Sequence, residues 1–288
     1  MQAYKKRKVR IALLGAHGRI VNKTMRKHPN LSGFIYLATL ILAISVPCAF
    51  ATTLIGLHLP DGFIIAVDSK VTYKGTGIQG PPTVCKIFQS GSLYFAFSGL
   101  ANDRNSGFFP EQIVANSFSA NDSLANNLDR MDRALSDALT IEMQRLKTQD
   151  PVSFAFNHRP GADTLQIVAG EMLNDTPQMF GRGFQYVEET GKIDISRLSC
   201  PGVDCPTEVK FFLAGDTDIA RVMVNQFFQE TQTAHDPVAD TRKLVEAEII
   251  AAPETVGPPI TILRVDKNGA SWPSNDSSCP IVVTSTRP

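Results

Sequence analysis

The first 51 residues contain no aspartate or glutamate, yet nine basic residues fall there: Lys5, Lys6, Arg7, Lys8, Arg10, Arg19, Lys23, Arg26 and Lys27. The whole chain of 288 residues balances at 28 basic and 28 acidic; taking away those nine leaves residues 52–288 with 19 against 28, a net charge of about −9. An acidic body excludes general binding to a phosphate backbone, so nucleic acid is not an expected partner. Histidine is also scarce, with only His58, His158 and His235 beyond residue 51. None sits at metal-ligand spacing and no Cys-x-x-Cys occurs, which argues against a zinc site. Gly-x-Ser-x-Gly, His-Glu-x-x-His, the phosphate-binding P-loop and a dinucleotide-binding Gly-x-Gly-x-x-Gly are missing as well. With His58 in a strand and His158 and His235 in polar loops, a serine–histidine triad has little support. With 43% hydrophobic and 19% charged residues, the composition excludes a disordered or collagen-like chain and allows a sizeable core.

The basic leader is followed by a mostly apolar run of 13 residues, Phe34–Val46, and then Pro47-Cys48-Ala49-Phe50-Ala51. A charged start, an apolar centre and an Ala-x-Ala ending are the parts of a secretory signal peptide, cut after Ala51. Residues before Met25 are surplus to such a signal, which places the expected translation start at Met25. An uncleaved anchor is the first alternative, although the run is short for about 30 Å of hydrocarbon. Acylation at Cys48 is the second, with Pro47 a poor neighbour for it. The expected product is an exported chain starting at Thr52, touching a membrane only through its signal. Four cysteines stay in that body, Cys85, Cys200, Cys205 and Cys279. They allow three pairings, among them a short loop closed by Cys200 and Cys205, and the sequence does not choose.

Along residues 52–288 a hairpin is expected over Leu54–Asp68, turning at Pro60-Asp61-Gly62. A second follows, with Val84–Phe88 and Leu93–Phe97 as its strands. Leu124, Leu128, Met131, Leu135, Leu139 and Leu146 repeat at helical spacing behind the capping residues Asn121-Asp122-Ser123, and Pro151 ends that helix. Strands are expected at Leu165–Ala169 and Lys210–Ala214, helices over about 218–230 and 238–250, and a last strand at Ile260–Val265. With no internal linker or repeat, the order predicts one α+β domain.

The residue left for chemistry is Thr52. A threonine at a chain start carries its own base, because the free α-amine accepts the hydroxyl proton. An unperturbed α-amine titrates at about 7.7–8.0, close to working pH. A neighbouring ammonium lowers that value, a carboxylate holds the ammonium, and a backbone N–H steadies the oxyanion. No metal or cofactor enters such a reaction.

Thr52-Thr53-Leu54-Ile55-Gly56, Asp61-Gly62-Phe63-Ile64-Ile65-Ala66-Val67-Asp68-Ser69-Lys70, Cys85-Lys86-Ile87 and Phe97-Ser98-Gly99-Leu100-Ala101-Asn102-Asp103 together resemble a proteasome β-subunit. That family belongs to the N-terminal-nucleophile hydrolases, and its Asp also follows the leading threonine by sixteen residues, as Asp68 follows Thr52 here. The resemblance is specific over residues 52–104 and looser beyond. It implies a four-layer αββα sandwich and a threonine peptidase acting on peptide or protein substrates. In it Thr52 is the nucleophile, Lys86 the tuning ammonium, Asp68 the carboxylate that orients Lys86, and the Gly99 N–H the oxyanion donor. Ring assembly into a homo-oligomer is a further implication.

Several positions depart from the family pattern. Lys86 lies two places further from Asp68, which implies an insertion in the Gly75–Pro82 loop. Lys70 replaces the usual Arg, keeping charge without the planar fork. Asp216 stands where a supporting Ser is usual, and Pro253-Glu254-Thr255-Val256 replaces an Asp-x-x-Ser pair, with Glu254 a stand-in for the acid if the chain is displaced by one residue. Ala51 replaces the Gly of self-processing precursors, pointing to a host peptidase as the agent that frees Thr52. Three functions remain open on these residues: an exported threonine peptidase, a small-molecule amidase on the same fold, and a non-catalytic subunit.

Overall fold

A computed structural model describes residues 52–70, 85–100, 106–202, 205, 210–227, 236–273 and 279–284. Residues 1–51, where a signal segment is expected, and the Gly75–Pro82 loop lie outside the described residues.

The first hairpin is the centre of a five-stranded sheet. β1 (Thr53–Leu59) and β2 (Gly62–Asp68) pair antiparallel from Leu54↔Val67 to Leu59↔Gly62, leaving Pro60 and Asp61 as the turn. Every residue of both strands is buried, so each strand is covered on two faces. Alternation sorts their side chains accordingly. Leu54, Phe63, Ile65 and Val67 join one apolar cluster, and Ile55, Leu57, Leu59, Ile64 and Ala66 another. Burying each of these side chains other than Ala66 stabilises the fold by about 1.5–3 kcal/mol. β8 (Lys210–Gly215) flanks β1, while β9 (Ile260–Asp266) and β10 (Gly269–Ser271) extend the sheet beyond β2.

The second sheet runs β11 (Ile281–Val282), β3 (Ile87–Ser90), β4 (Leu93–Gly99), β5 (Leu165–Leu173), β6 (Thr176–Val187) and β7 (Lys192–Cys200), in that spatial order. The cluster holding Leu54 and Phe63 also takes Ile87, Ala96, Val168, Met179 and Leu198 from this sheet, so it fills the space between the two sheets.

The described residues contain five helices: α1 (Pro110–Ser117), α2 (Leu124–Gln149), α3 (Pro151–Asn157), α4 (Asp218–Phe227) and α5 (Pro237–Ala251). Ser123 caps α2 by accepting from the Asn126 N–H, and Leu128, Met131, Leu135, Leu139, Met143 and Leu146 form its buried stripe. That stripe packs with Phe95, Phe97 and Ile167 of the second sheet. Leu244 and Val245 of α5 and Ala220 and Val224 of α4 pack with Ile55 and Leu57 of the first. None of these helices is long and apolar enough to cross a membrane.

Pro151 ends α2 as expected, but it also opens α3, since a missing N–H costs nothing at a first helical position. β5 runs four residues past its expected end, and β6, β7, α1 and α3 have no counterpart in the sequence reading. The helix expected to reach residue 230 is described to Phe227.

Both disulfides are formed among the described residues, Cys200–Cys205 and Cys85–Cys279, which selects one of the three pairings. The second spans 194 positions of sequence. In the loop-entropy account, closing so long a loop stabilises by on the order of 5 kcal/mol.

Candidate active site

Thr52 immediately precedes β1, whose placement between β2 and β8 fixes it on the five-stranded sheet. The Thr52 carbonyl accepts from the Asp216 N–H at 3.0 Å and from the Ser98 hydroxyl at 3.4 Å. The residue is 9% exposed. Lys86 Nζ donates to Thr52 Oγ1 at 3.1 Å and to Asp68 Oδ1 at 3.0 Å. Hydroxyl, ammonium and carboxylate thus form one chain of contacts, brought together from three separate segments.

Asp68 ends β2 and is fully buried. Four donors converge on its carboxylate. Oδ1 takes the Thr53 N–H at 3.0 Å besides Lys86, and Oδ2 takes the Lys70 N–H at 3.1 Å and the Gly257 N–H at 3.3 Å. Burial pushes the Asp68 carboxyl up from its ordinary value, while the Lys86 ammonium and the Thr53 and Gly257 amides oppose the rise. Burial likewise pulls the Lys86 ammonium down, and the Asp68 charge opposes it. Asp68 is the charge that opposes the pull of burial on Lys86, so removing it strands the ammonium in a dry site, whereas Asp68 without Lys86 keeps its backbone donors.

Gly99 closes β4 with a φ of 97°, in the region that glycine alone enters freely. A Cβ there would overlap the Thr164 carbonyl oxygen. Gly99→Ala is expected to cost about 1–3 kcal/mol through the backbone alone, before any overlap. A denaturant midpoint equal to that of the wild type would rule this out. Gly215, at a φ of 79°, is needed for a related reason, because a Cβ would overlap the Thr52 carbonyl oxygen.

The supporting positions differ from the sequence expectation in an informative way. Asp216 both donates its N–H to Thr52 and accepts at its carbonyl from the Thr53 hydroxyl at 2.7 Å. Its carboxylate accepts from Thr255 Oγ1 at 3.3 Å. Burial pushes the Asp216 carboxyl up, with the Thr255 bond acting against it. Glu254, the other acid weighed from sequence, is exposed. Lys70 turns its ammonium to the Pro253 carbonyl. Sequence reasoning did not identify the parts of Thr53, Ser98, Thr255 and Gly257. Two of these act through backbone amides, which leave no residue-type signal.

His58, Cys200 and Cys205 bring three donor atoms within 4.8 Å of one another. The two sulfurs are bonded to each other, so neither is a thiolate able to hold a metal.

No family model matches the chain, and no curated protein matches it. Among solved structures the chain is similar to "Anbu (Gly-1) mutant" from Hyphomicrobium sp. strain MC1, at 15% identity and a TM-score of 0.44, covering 78% of this chain and 88% of that one.

Proposed function

We propose that the chain is an exported threonine peptidase of the N-terminal-nucleophile type, built as a single domain over residues 52–288. The observation that carries this reading is the contact of Lys86 Nζ with both Thr52 Oγ1 and Asp68 Oδ1, at 3.1 and 3.0 Å. A lysine pinned by a buried carboxylate against a threonine hydroxyl is costly to maintain for stability alone. The αββα sandwich belongs to the same reading, supported by one apolar cluster between the sheets and one on each outer side against helices. Export is supported by the pairing of all four body cysteines, which persists in an oxidising compartment.

Cleavage after Ala51 frees the Thr52 α-amine. That amine takes the proton from Oγ1 as Oγ1 attacks the peptide carbonyl, and the Gly99 N–H receives the negative charge on the carbonyl oxygen. The protonated amine then passes its proton to the leaving nitrogen, giving an ester on Thr52 that water hydrolyses. Lys86 stays protonated throughout. Its charge disfavours a second ammonium beside it, so the amine is neutral at lower pH than an isolated one.

The pH dependence follows from these signs. Activity needs a neutral amine, so it rises with pH, and the midpoint of that rise lies below the ordinary α-amine range of about 7.7–8.0. It needs a charged Lys86, whose titration burial pulls below 10.5, so activity falls again before that pH. A profile of kcat/KM on a fluorogenic peptide tests both limbs. A plateau extending past pH 10.5 would remove Lys86 from the mechanism. Turnover of small acylated amides with none of peptides would move the substrate class and leave the nucleophile in place.

A further inference from the structure

Lys86 lies outside any strand, immediately before β3. Its flexible four-carbon side chain delivers an ammonium to two partners, so the backbone at this point must itself be fixed. On the C-terminal side, β3 pairs with β4 from Ile87↔Ala96 onward. On the other side Cys85, 2% exposed, is bonded to Cys279, with the two Cα atoms 5.4 Å apart. The Cys85 sulfur also accepts from the Ile87 N–H at 3.4 Å, spanning Lys86.

The chain that follows Cys279 continues the same attachment. β11 lies parallel on β3 with Ile281↔Phe88 and Val282↔Gln89, and the Val283 N–H donates to the Gln89 carbonyl at 2.8 Å. Ile281 and Val282 are 36% and 67% exposed, so this two-residue strand buries little apolar surface of its own. Its hold is the disulfide, the backbone pairing and the burial of Val283, 5% exposed, all acting on the strap that lies against the segment carrying Lys86.

We infer that the strap made of Cys279 and β11 is a positioning device for the site, in which Cys279, through Cys85, fixes the backbone from which Lys86 reaches Thr52 and Asp68. The inference rests on the proposed role of Lys86. It assigns Cys85 and Cys279 as positioning residues that touch no substrate.

The test compares three mature chains starting at Thr52: wild type, Cys85→Ser/Cys279→Ser, and Cys200→Ser/Cys205→Ser as a variant lacking the other disulfide. Two readouts are taken, the titration of the Lys86 side chain by 13C NMR at Cε and the pH profile of kcat and KM. The charged groups to be accounted for are Asp68 from β2, the Thr52 amine, Lys70 beyond β2 and Asp216 at the end of β8. In the strap variant, Lys86 is expected to titrate closer to an exposed lysine, and kcat to fall about tenfold to a hundredfold with KM little changed. The acid limb should move to higher pH as the amine loses its cationic neighbour. The Cys200/Cys205 variant should leave both readouts unchanged. If the strap variant does not fold, Val283→Pro removes one bond of the strap and its buried valine side chain while keeping the disulfide, and it should shift both readouts in the same direction. An unshifted Lys86 titration in the strap variants, or an equal shift on loss of Cys200–Cys205, overturns the inference. A wild type without turnover whose Lys86 titration still responds to the strap supports the positioning and overturns the hydrolase reading.

Discussion

Replacing Thr52 with alanine in a chain starting at residue 52 is expected to lower kcat/KM on peptides by on the order of 10⁴–10⁶-fold, the scale seen when a covalent nucleophile is removed. The fold should survive the change. The bonds that place residue 52 run through its carbonyl, from the Asp216 N–H and the Ser98 hydroxyl, and alanine keeps that carbonyl. Lys86 loses its hydroxyl acceptor but retains Asp68, so the buried pair is not broken. In the proposed reading, cleavage after Ala51 leaves an amine on residue 52 in both proteins, a point that N-terminal sequencing of each checks, so that only the hydroxyl differs. Thr52→Ser, which restores a hydroxyl, should recover turnover. Equal hydrolysis by wild type and Thr52→Ala would leave a non-catalytic role as the surviving account.

Asp68→Asn is expected to damage activity and stability together. Both carboxylate oxygens accept from donors: Thr53 N–H and Lys86 on one, Lys70 N–H and Gly257 N–H on the other. An amide must turn its NH2 toward one of these pairs, setting donor against donors whichever way it is placed. It also leaves the Lys86 ammonium, whose side chain is only 14% exposed, without a counter-charge. Breaking such a pair costs about 3–5 kcal/mol. For a body of this size that lowers the melting temperature by roughly 10 °C. Lys86→Ala should be milder in stability, because Asp68 keeps three backbone donors. A loss in Asp68→Asn of under about 1 kcal/mol in denaturant titration would contradict the saturated carboxylate described here.

What the sequence disclosed, and what it withheld, has physical reasons. The β1–β2 hairpin was readable because a turn signal separates two apolar runs, and α2 because six apolar residues repeat on one face. β6 was not, since Pro177, Gly181 and Gly183 interrupt its pattern and its pairing with β5 and β7 supplies what propensity does not. β7 carries Asp194, Ser196 and Arg197 and reads as a polar loop. Arg182 of β6 is buried against Asp132 of α2, an ion pair that no local pattern foretells. In the site, Thr52 was singled out by the chemistry of a chain-start threonine, and Asp68 and Lys86 only by the resemblance; the structure brings the three side chains into contact. Gly99 was legible as a motif residue, while its positive φ and its closeness to Thr164 emerge only from the strand geometry. Of the four donors to Asp68, Lys86 was named by the resemblance, while the other three are backbone amides and were invisible.

The central claim is that Thr52 becomes a chain start and carries the acyl group. It is tested most directly by N-terminal sequencing and intact mass of the protein recovered from an export-competent host, before and after brief exposure to an activated acyl peptide, with peptide mapping of the product. The account predicts a chain beginning at Thr52 and an ester on its hydroxyl that hydrolyses with time. A mature chain beginning elsewhere, or an acyl group mapped to another residue, would contradict it.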